Sequence, residues 1–305
     1  MHALTKDTLT LLLWVALMAS SFVISADLPQ YASPIAGTEL RFILATLLLA
    51  PLALSRYALF SDLGLLMRYG LISLFLVLFF IGLFEALKTT TALNTSVIYT
   101  LVPLMSVTIS RIFLGAGVNG VMLCGFVLGA GGALWVLLAT HGSSAETLAW
   151  NDGDALFLLA CASLALHVTL VKKWGSNTPP IQGAFYIMLM GAVLMAPITI
   201  VAGDIEQVAW GEFDFWRVLL YLTLFATIAT FYLQQHLVQK VGPNRLLAFS
   251  YLIPTFVAIG QGFMQGPGLW YSLPGVALTL LALLLISGAW SPAARKPHVS
   301  DAPAN

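Results

Sequence analysis

Charge is scarce in this chain. Of 305 residues only 9% are Asp, Glu, Lys or Arg, and acids and bases balance to a formal net charge of zero. A soluble domain carries about 25% charged residues, so this chain cannot cover itself with a solvated polar shell. No basic cluster suits a nucleic-acid backbone, and no such partner is expected. Cysteine is almost missing too: Cys124 and Cys161 both lie in apolar stretches and read as packing residues rather than a disulfide or a metal site. No H-E-x-x-H helix and no cluster of acids and bases at one depth occurs. That argues against an intramembrane enzyme, so no catalytic residue, metal or cofactor is expected. No Walker motif is present, so ATP is not the direct energy source. A channel would favour a continuous polar stripe, and a receptor a soluble signalling domain; neither is visible.

What the chain has is apolar length. Hydrophobic residues make up 59%, and a membrane-spanning helix needs about 20 mostly apolar residues. That rule yields ten spans, at 8–26, 35–54, 64–84, 92–112, 120–139, 154–172, 181–201, 215–237, 245–265 and 270–290. The fold class expected is therefore an all-α integral membrane protein. The run Leu9–Ser25 resembles a signal peptide, but a counterpart deeper in the chain argues that it is the first span. Orientation follows the positive charges. One side collects Lys6, Arg56, Arg68, Arg111, Lys172, Lys173, Lys240, Arg245, Arg295 and Lys296, and the other only Lys88 and Arg217. Ten against two places both termini in the cytoplasm, with the chain in the inner membrane of a bacterium. The tail 291–305, rich in Pro and Ala, reads as disordered.

The two halves correspond. Shifted by 146, Pro34–Gly37 falls on Pro180–Gly183 and Pro51 on Pro197; shifted by 151, Pro103 falls on Pro254, Leu101 on Leu252 and Gly115 on Gly266. Trp14–Ser25 lies opposite Ala160–Val171 in the same way. Five spans per half is an odd number, so the halves insert in opposite orientations. The expected division is 1–139, an outer linker 140–153, and 154–290 as the inverted second half. Inverted repeats are the architecture of secondary transporters, with a midplane site and alternating access. Pro103 and Pro254, matched in the middle of spans four and nine, are candidate hinges lining the cavity.

The stretch "ALKTTTALNTSVIYTLVPLMSVTISRIFLG" and its weaker partner "LVQKVGPNRLLAFSYLIPTFVAIGQGFMQG", with the "ELRF" opening of span two, resemble the drug/metabolite transporter superfamily. The branch is the one built from two five-helix EamA-type domains, and the resemblance covers about residues 8–290. It implies ten helices around a central cavity and export or exchange of small metabolites, most similar to exporters of amino acids, aromatic ones among them. Two departures stand out. The second half lacks the arginine of "ELRF", and neither half ends with the common acidic residue.

Span one carries no acid, unlike the small multidrug exporters of this superfamily. No Lys or Arg sits mid-span in spans three, four, eight or nine, so a phosphorylated sugar lacks its counter-ion. The cavity helices offer aromatic, hydroxyl and amide groups instead. The candidate substrate-binding residues are Trp14, Phe79, Ser96, Tyr99, Ser163, Phe231, Gln234, Ser250 and Tyr251, a lining suited to an uncharged or zwitterionic substrate with an apolar side chain. His167 and His236 are candidates for proton coupling, which fits the alternative of a proton-coupled exporter of other metabolites or drugs. Glu39 and Arg41, two residues apart in span two, point to different sides of the helix and cannot simply neutralise each other; with Glu85 and Lys88 they read as structural pairs. The expected partners are a small-molecule substrate and the bilayer, with the chain a monomer. Three patterns are set aside. "GAGVNG" follows a spanning helix rather than a strand, "NTS" at Asn94–Ser96 lies within a span, and "GFVLG" at Gly125–Gly129 reads as tight helix packing within the chain.

Overall fold

The computed structural model describes residues 2–59, 62–141, 150–265 and 268–289, and every regular element among them is helical. The helices are α1 (His2–Ser25), α2 (Pro34–Arg56), α3 (Leu63–Ala86), α4 (Ala92–Tyr99), α5 (Val102–Leu114), α6 (Gly120–His141), α7 (Asp152–Trp174) and α8 (Pro180–Ala202). They are followed by α9 (Phe213–Tyr221), α10 (Thr230–Val241), α11 (Pro243–Ala248), α12 (Ile253–Gln265) and α13 (Gly268–Ala289). Among the described residues, nine helical stretches are long and apolar enough to cross a membrane. They match nine of the ten expected spans. The expected tail, most of the linker 140–153 and the matched Gly266 lie outside the described residues.

Local chemistry sets the ends. The Ser33 hydroxyl accepts from Ala36 N at 3.1 Å with Pro34 in the first turn of α2, Asp62 caps α3 through Leu65 N at 3.0 Å, and Thr91 caps α4 through Asn94 N at 3.1 Å. Each supplies an acceptor to an N–H that the helix itself leaves unpaired. Gly115, at φ 63°, closes α5 in the left-handed region that glycine enters without a Cβ penalty.

Two of the expected spans are not single helices, which corrects the expectation of a proline in the middle of each. Span four breaks after Tyr99 and restarts at Val102, with Pro103 in the first turn of α5. Span nine runs from α11 through a 3₁₀ turn, Phe249–Leu252, and restarts at Ile253 with Pro254 next in line. In the first turn of a helix the missing proline N–H costs nothing, so the chain avoids the defect by beginning a second helix there. The breaks fall at matching positions. Span eight also departs from a plain α-helix: a π segment, Leu222–Ala229, joins α9 to α10.

α6 lies along α13, α2 along α8, and α3 against both α7 and α8. α1 packs on α10, α12 and the π segment, while α4 and α5 pack on α7. Contacts between connections group the ends. Ser33 Oγ donates to Gly203 O at 2.6 Å and Ala209 N to Tyr31 O at 2.8 Å, Trp135 Nε1 donates to Tyr271 O at 3.2 Å, and Thr90 meets Asp154. At the opposite end Tyr186 OH donates to Leu59 O at 2.6 Å and Lys240 pairs with Asp7 at 3.1 Å. Each contact joins segments that the charge count assigns to one side of the membrane. For brevity the first group is called the outer end and the second the inner end.

Candidate functional site

The break in span four and the bundle of α1, α3, α7 and α10 leave two adjoining cavities, of about 340 Å³ and 220 Å³. They share Phe22, Phe79, Leu83 and Tyr99 as a partition. The rings there meet edge-on or tilted: Phe22 and Tyr99 have centroids 6.2 Å apart at 76°, and Phe79 and Tyr99 6.4 Å apart at 56°. The larger chamber reaches Leu28, Pro29 and Leu87 at the outer end and stops deep in the bundle at His167, Gln234 and Leu247. Below it the inner half is laced shut: Ser106 Oγ donates to Asn244 Oδ1 at 2.9 Å, Ser110 lies 3.4 Å from Thr169, and Gln239 Nε2 donates to Val171 O at 2.9 Å. The chamber therefore extends toward one end of the molecule only.

Of the residues singled out from the sequence, Trp14, Phe79, Tyr99, Phe231 and Gln234 line the larger chamber. Phe79 and Tyr99 also line the smaller one, together with Ser96, Ser250, Tyr251 and Pro254. Two elements explain this convergence. The bend after Tyr99 turns the α4 half-helix against α7, and the 3₁₀ turn before Pro254 brings Ser250 and Tyr251 to the wall. Ser250 Oγ donates to Leu247 O at 2.6 Å and Thr100 Oγ1 to Val97 O at 2.7 Å, so hydroxyls satisfy carbonyls beside each break. Ser163 and His236, both half-buried, line neither chamber, and Pro103 is buried at the start of α5 away from them.

His167 is fully buried on the chamber floor. Its Nδ1 lies 2.9 Å from Ile72 O, which can only accept, so Nδ1 carries the proton. Nε2 is then the acceptor for the Gln234 amide at 3.2 Å. The neutral ring thus joins α3, α7 and α10 and fixes the direction of the Gln234 side chain.

Sequence reasoning grouped Arg41 with the structural pairs, but it lines the larger chamber. Its Nε and Nη2 donate to Thr227 Oγ1 at 3.1 and 2.9 Å, and that hydroxyl donates to Leu222 O at 3.0 Å. Arg41 has no ion-pair partner among the described residues, whereas Glu85 and Lys88 do pair, at 2.7 Å on the exposed end of α3. Glu39 is buried on the other side of α2, beside a separate small cavity, with its Oε2 unpaired. The signal for Arg41 was available: it is a cation two turns inside a span, with no acid three or four residues away on its own helix. The "GFVLG" glycines face inward as expected. A Cβ on Gly125 would stand 2.7 Å from Ile286 of α13, and one on Gly129 2.4 Å from the Tyr251 ring.

The profile of the EamA-like transporter family matches the chain twice, over residues 6–138 and 151–288. Among curated proteins the chain is similar to the uncharacterized transporter YyaM of Bacillus subtilis, 22% identical over 214 residues, covering 70% of this chain and 69% of that one. It is also similar to a chloroplastic WAT1-related protein of Arabidopsis thaliana, 23% identical over 211 residues, covering 67% of this chain and 50% of the plant protein. A solved structure titled only "Crystal structure of protein" superposes with a TM-score of 0.75 at 19% identity, covering 94% of this chain and 99% of that one. The last likeness is one of fold.

Proposed function

The chain belongs to the EamA-like transporter family, and from that premise we propose that it exports or exchanges small neutral or zwitterionic metabolites, amino acids foremost, by alternating access. The observation that carries this reading is the aromatic-walled chamber, which extends to one end and ends on a hydrogen-bonded floor at the other. Its 340 Å³ lies at the low end of the roughly 300–1,000 Å³ of small-molecule sites, a size for metabolites rather than large drugs. Trp14, Phe79, Tyr99 and Phe231 supply apolar area, and Gln234, Ser96 and Ser250 supply the few polar contacts that orient a ligand.

The proposed architecture is ten spans in two inverted repeats. Two findings support it: the family profile matches each half separately, and the principal helix pairs map onto one another when the halves are exchanged. The α2–α8 and α6–α13 pairs map onto themselves, α3–α7 onto α1–α10, and α5–α7 onto α1–α12. Alternating access then means opening the inner end while the outer end closes, with the paired breaks before Pro103 and Pro254 as the bending points.

The test is exchange in proteoliposomes. Vesicles are loaded with one unlabelled amino acid each and given labelled tracer, with and without a pH gradient. Accumulation driven by phenylalanine, tyrosine, methionine or threonine is the expected result. No exchange with any amino acid, from vesicles holding folded protein, overturns the amino-acid reading. Acceleration by the gradient would assign proton coupling and direct attention to Glu39 as well as the two histidines.

A further inference from the structure

A charged side chain inside a membrane is expensive, and it persists where it has a partner or a task. Arg41 is such a side chain, and the described residues give it no carboxylate. It does not simply fill space. One edge of its guanidinium, Nε with Nη2, is held by a single hydroxyl, and that hydroxyl is itself oriented by the Leu222 carbonyl of the π segment. A π turn is an uncommon element that recurs at functional sites, and here it sets the threonine that aims the arginine. Arg41 makes no other hydrogen bond among the described residues, so its Nη1 donors remain over for whatever enters the chamber it lines.

The rest of the wall is as informative. The chamber that Arg41 lines also carries Trp14, Phe80, Phe84 and Phe231, and among the described residues no Asp or Glu lines either chamber. The site therefore carries a donor fork for an anion and aromatic faces for an apolar body, with no carboxylate for an ammonium group. A guanidinium matches the two oxygens of a carboxylate in one plane. We infer that Arg41, positioned by Thr227, binds the carboxylate of the transported molecule, and that the chamber selects amphipathic carboxylates whether or not they carry an amino group. This rests on the chamber being the transport site and narrows the substrate class given above. An amino acid is bound through its carboxylate and side chain, and its α-amine is tolerated rather than recognised.

Three probes of one shape separate the contributions: 3-phenylpropionate carries only the carboxylate, phenethylamine only the amine, and L-phenylalanine both. Their binding to the detergent-solubilised full chain is measured by titration calorimetry. The expected result is that 3-phenylpropionate and phenylalanine bind alike and phenethylamine at least about tenfold more weakly, the scale of one charge-assisted hydrogen bond. Arg41→Gln should lower carboxylate affinity by about tenfold or more and leave phenethylamine unchanged or tighter, since the repelling charge is gone, with Arg41→Lys between wild type and Gln for carboxylates. If Arg41→Gln does not fold, Thr227→Val serves in its place: it keeps the charge, frees the guanidinium, and should weaken carboxylates several-fold. The inference is overturned if phenethylamine binds as tightly as 3-phenylpropionate, if the variants retain wild-type carboxylate affinity, or if none of the three probes binds. Arg41-dependent binding of 3-phenylpropionate without exchange of any amino acid would remove the amino-acid reading and keep the carboxylate one. Amino-acid exchange indifferent to Arg41 would do the reverse.

Discussion

Replacing Pro103 by alanine returns one N–H to the chain at the point where span four restarts. In the present geometry α4 ends at Tyr99, Thr100 and Leu101 form a turn, and α5 begins at Val102. An alanine N–H at 103 could pair with the Tyr99 carbonyl and let the ladder run through, fusing α4 with α5. One such hydrogen bond contributes about 0.5–1.5 kcal/mol net, and removing the ring also removes its clash with the preceding turn. If the break must bend during each cycle, stiffening it by about 1.4 kcal/mol slows that step about tenfold. The partition residues Phe79 and Tyr99 lie at or above the break, so affinity should stay within about twofold while turnover falls. Counterflow of labelled substrate in proteoliposomes gives the rate, and calorimetric titration gives the affinity. Pro254→Ala should slow turnover alike, since its break matches that at Pro103. Wild-type turnover in both variants would refute the hinge.

Packing gives sharper stability predictions. A Cβ on Gly132 would stand 2.7 Å from Gly275 O and 2.8 Å from Thr279 N, backbone atoms of α13 that cannot swing aside, whereas one on Gly131 meets nothing within 4 Å. Gly132→Ala should cost roughly 1–3 kcal/mol and lower the detergent melting temperature by several degrees, while Gly131→Ala leaves it unchanged or slightly higher. Equal melting temperatures would show that α6 and α13 can part freely. Gly129→Ala drives the Tyr251 ring, 2.4 Å from the new methyl, toward the smaller chamber, so it should weaken substrate binding more than it lowers stability, as titration and melting together would show. Asp154, 1% exposed, accepts from Thr90, from Asn94 Nδ2 at 2.9 Å and from Asn151 N at 2.8 Å. Asp154→Ala strands these donors at the outer end and should cost about 2–3 kcal/mol, with Asp154→Asn milder; a melting curve matching wild type would discount the network.

Much of the membrane architecture was legible, because a bilayer permits few solutions and announces them through apolar run length and cation placement. Nine expected spans reappear, and connections that the cations group together touch one another. The candidate site was legible where aromatic residues stood near the prolines, as with Tyr99 and Tyr251, and where an aromatic run marked a cavity helix, as with Phe79. It was missed where a side chain's role depends on which helix faces it. Ser163 and His236 carried suitable chemistry on faces that do not reach the chamber. Arg41 was visible as a charge two turns inside a span, but its partner Thr227 lies 186 residues away on a π turn that no local pattern announces. The prolines misled for a simpler reason. An uninterrupted apolar run looks the same whether it folds as one kinked helix or as two short ones.

The arginine in the chamber wall has an electrical consequence. A guanidinium stays protonated, so the empty chamber holds one positive charge with no carboxylate beside it among the described residues. On the inference above, a bound monocarboxylate brings the site to neutrality, whereas a zwitterionic amino acid, carrying its own ammonium, leaves it at plus one. For a simple carboxylate the membrane voltage then acts differently on the two halves of the transport cycle. Moving one elementary charge through the full field is worth about 2.3 kcal/mol per 100 mV. The part of that drop falling across the chamber biases the unloaded return step, leaves a step loaded with a simple carboxylate untouched, and acts on a step loaded with an amino acid as it does on the empty one. A molecule lacking the carboxylate would keep the bias in both directions. Voltage sensitivity is therefore set by what the chamber holds, and a current recorded across a bilayer reports whether the arginine has found its partner.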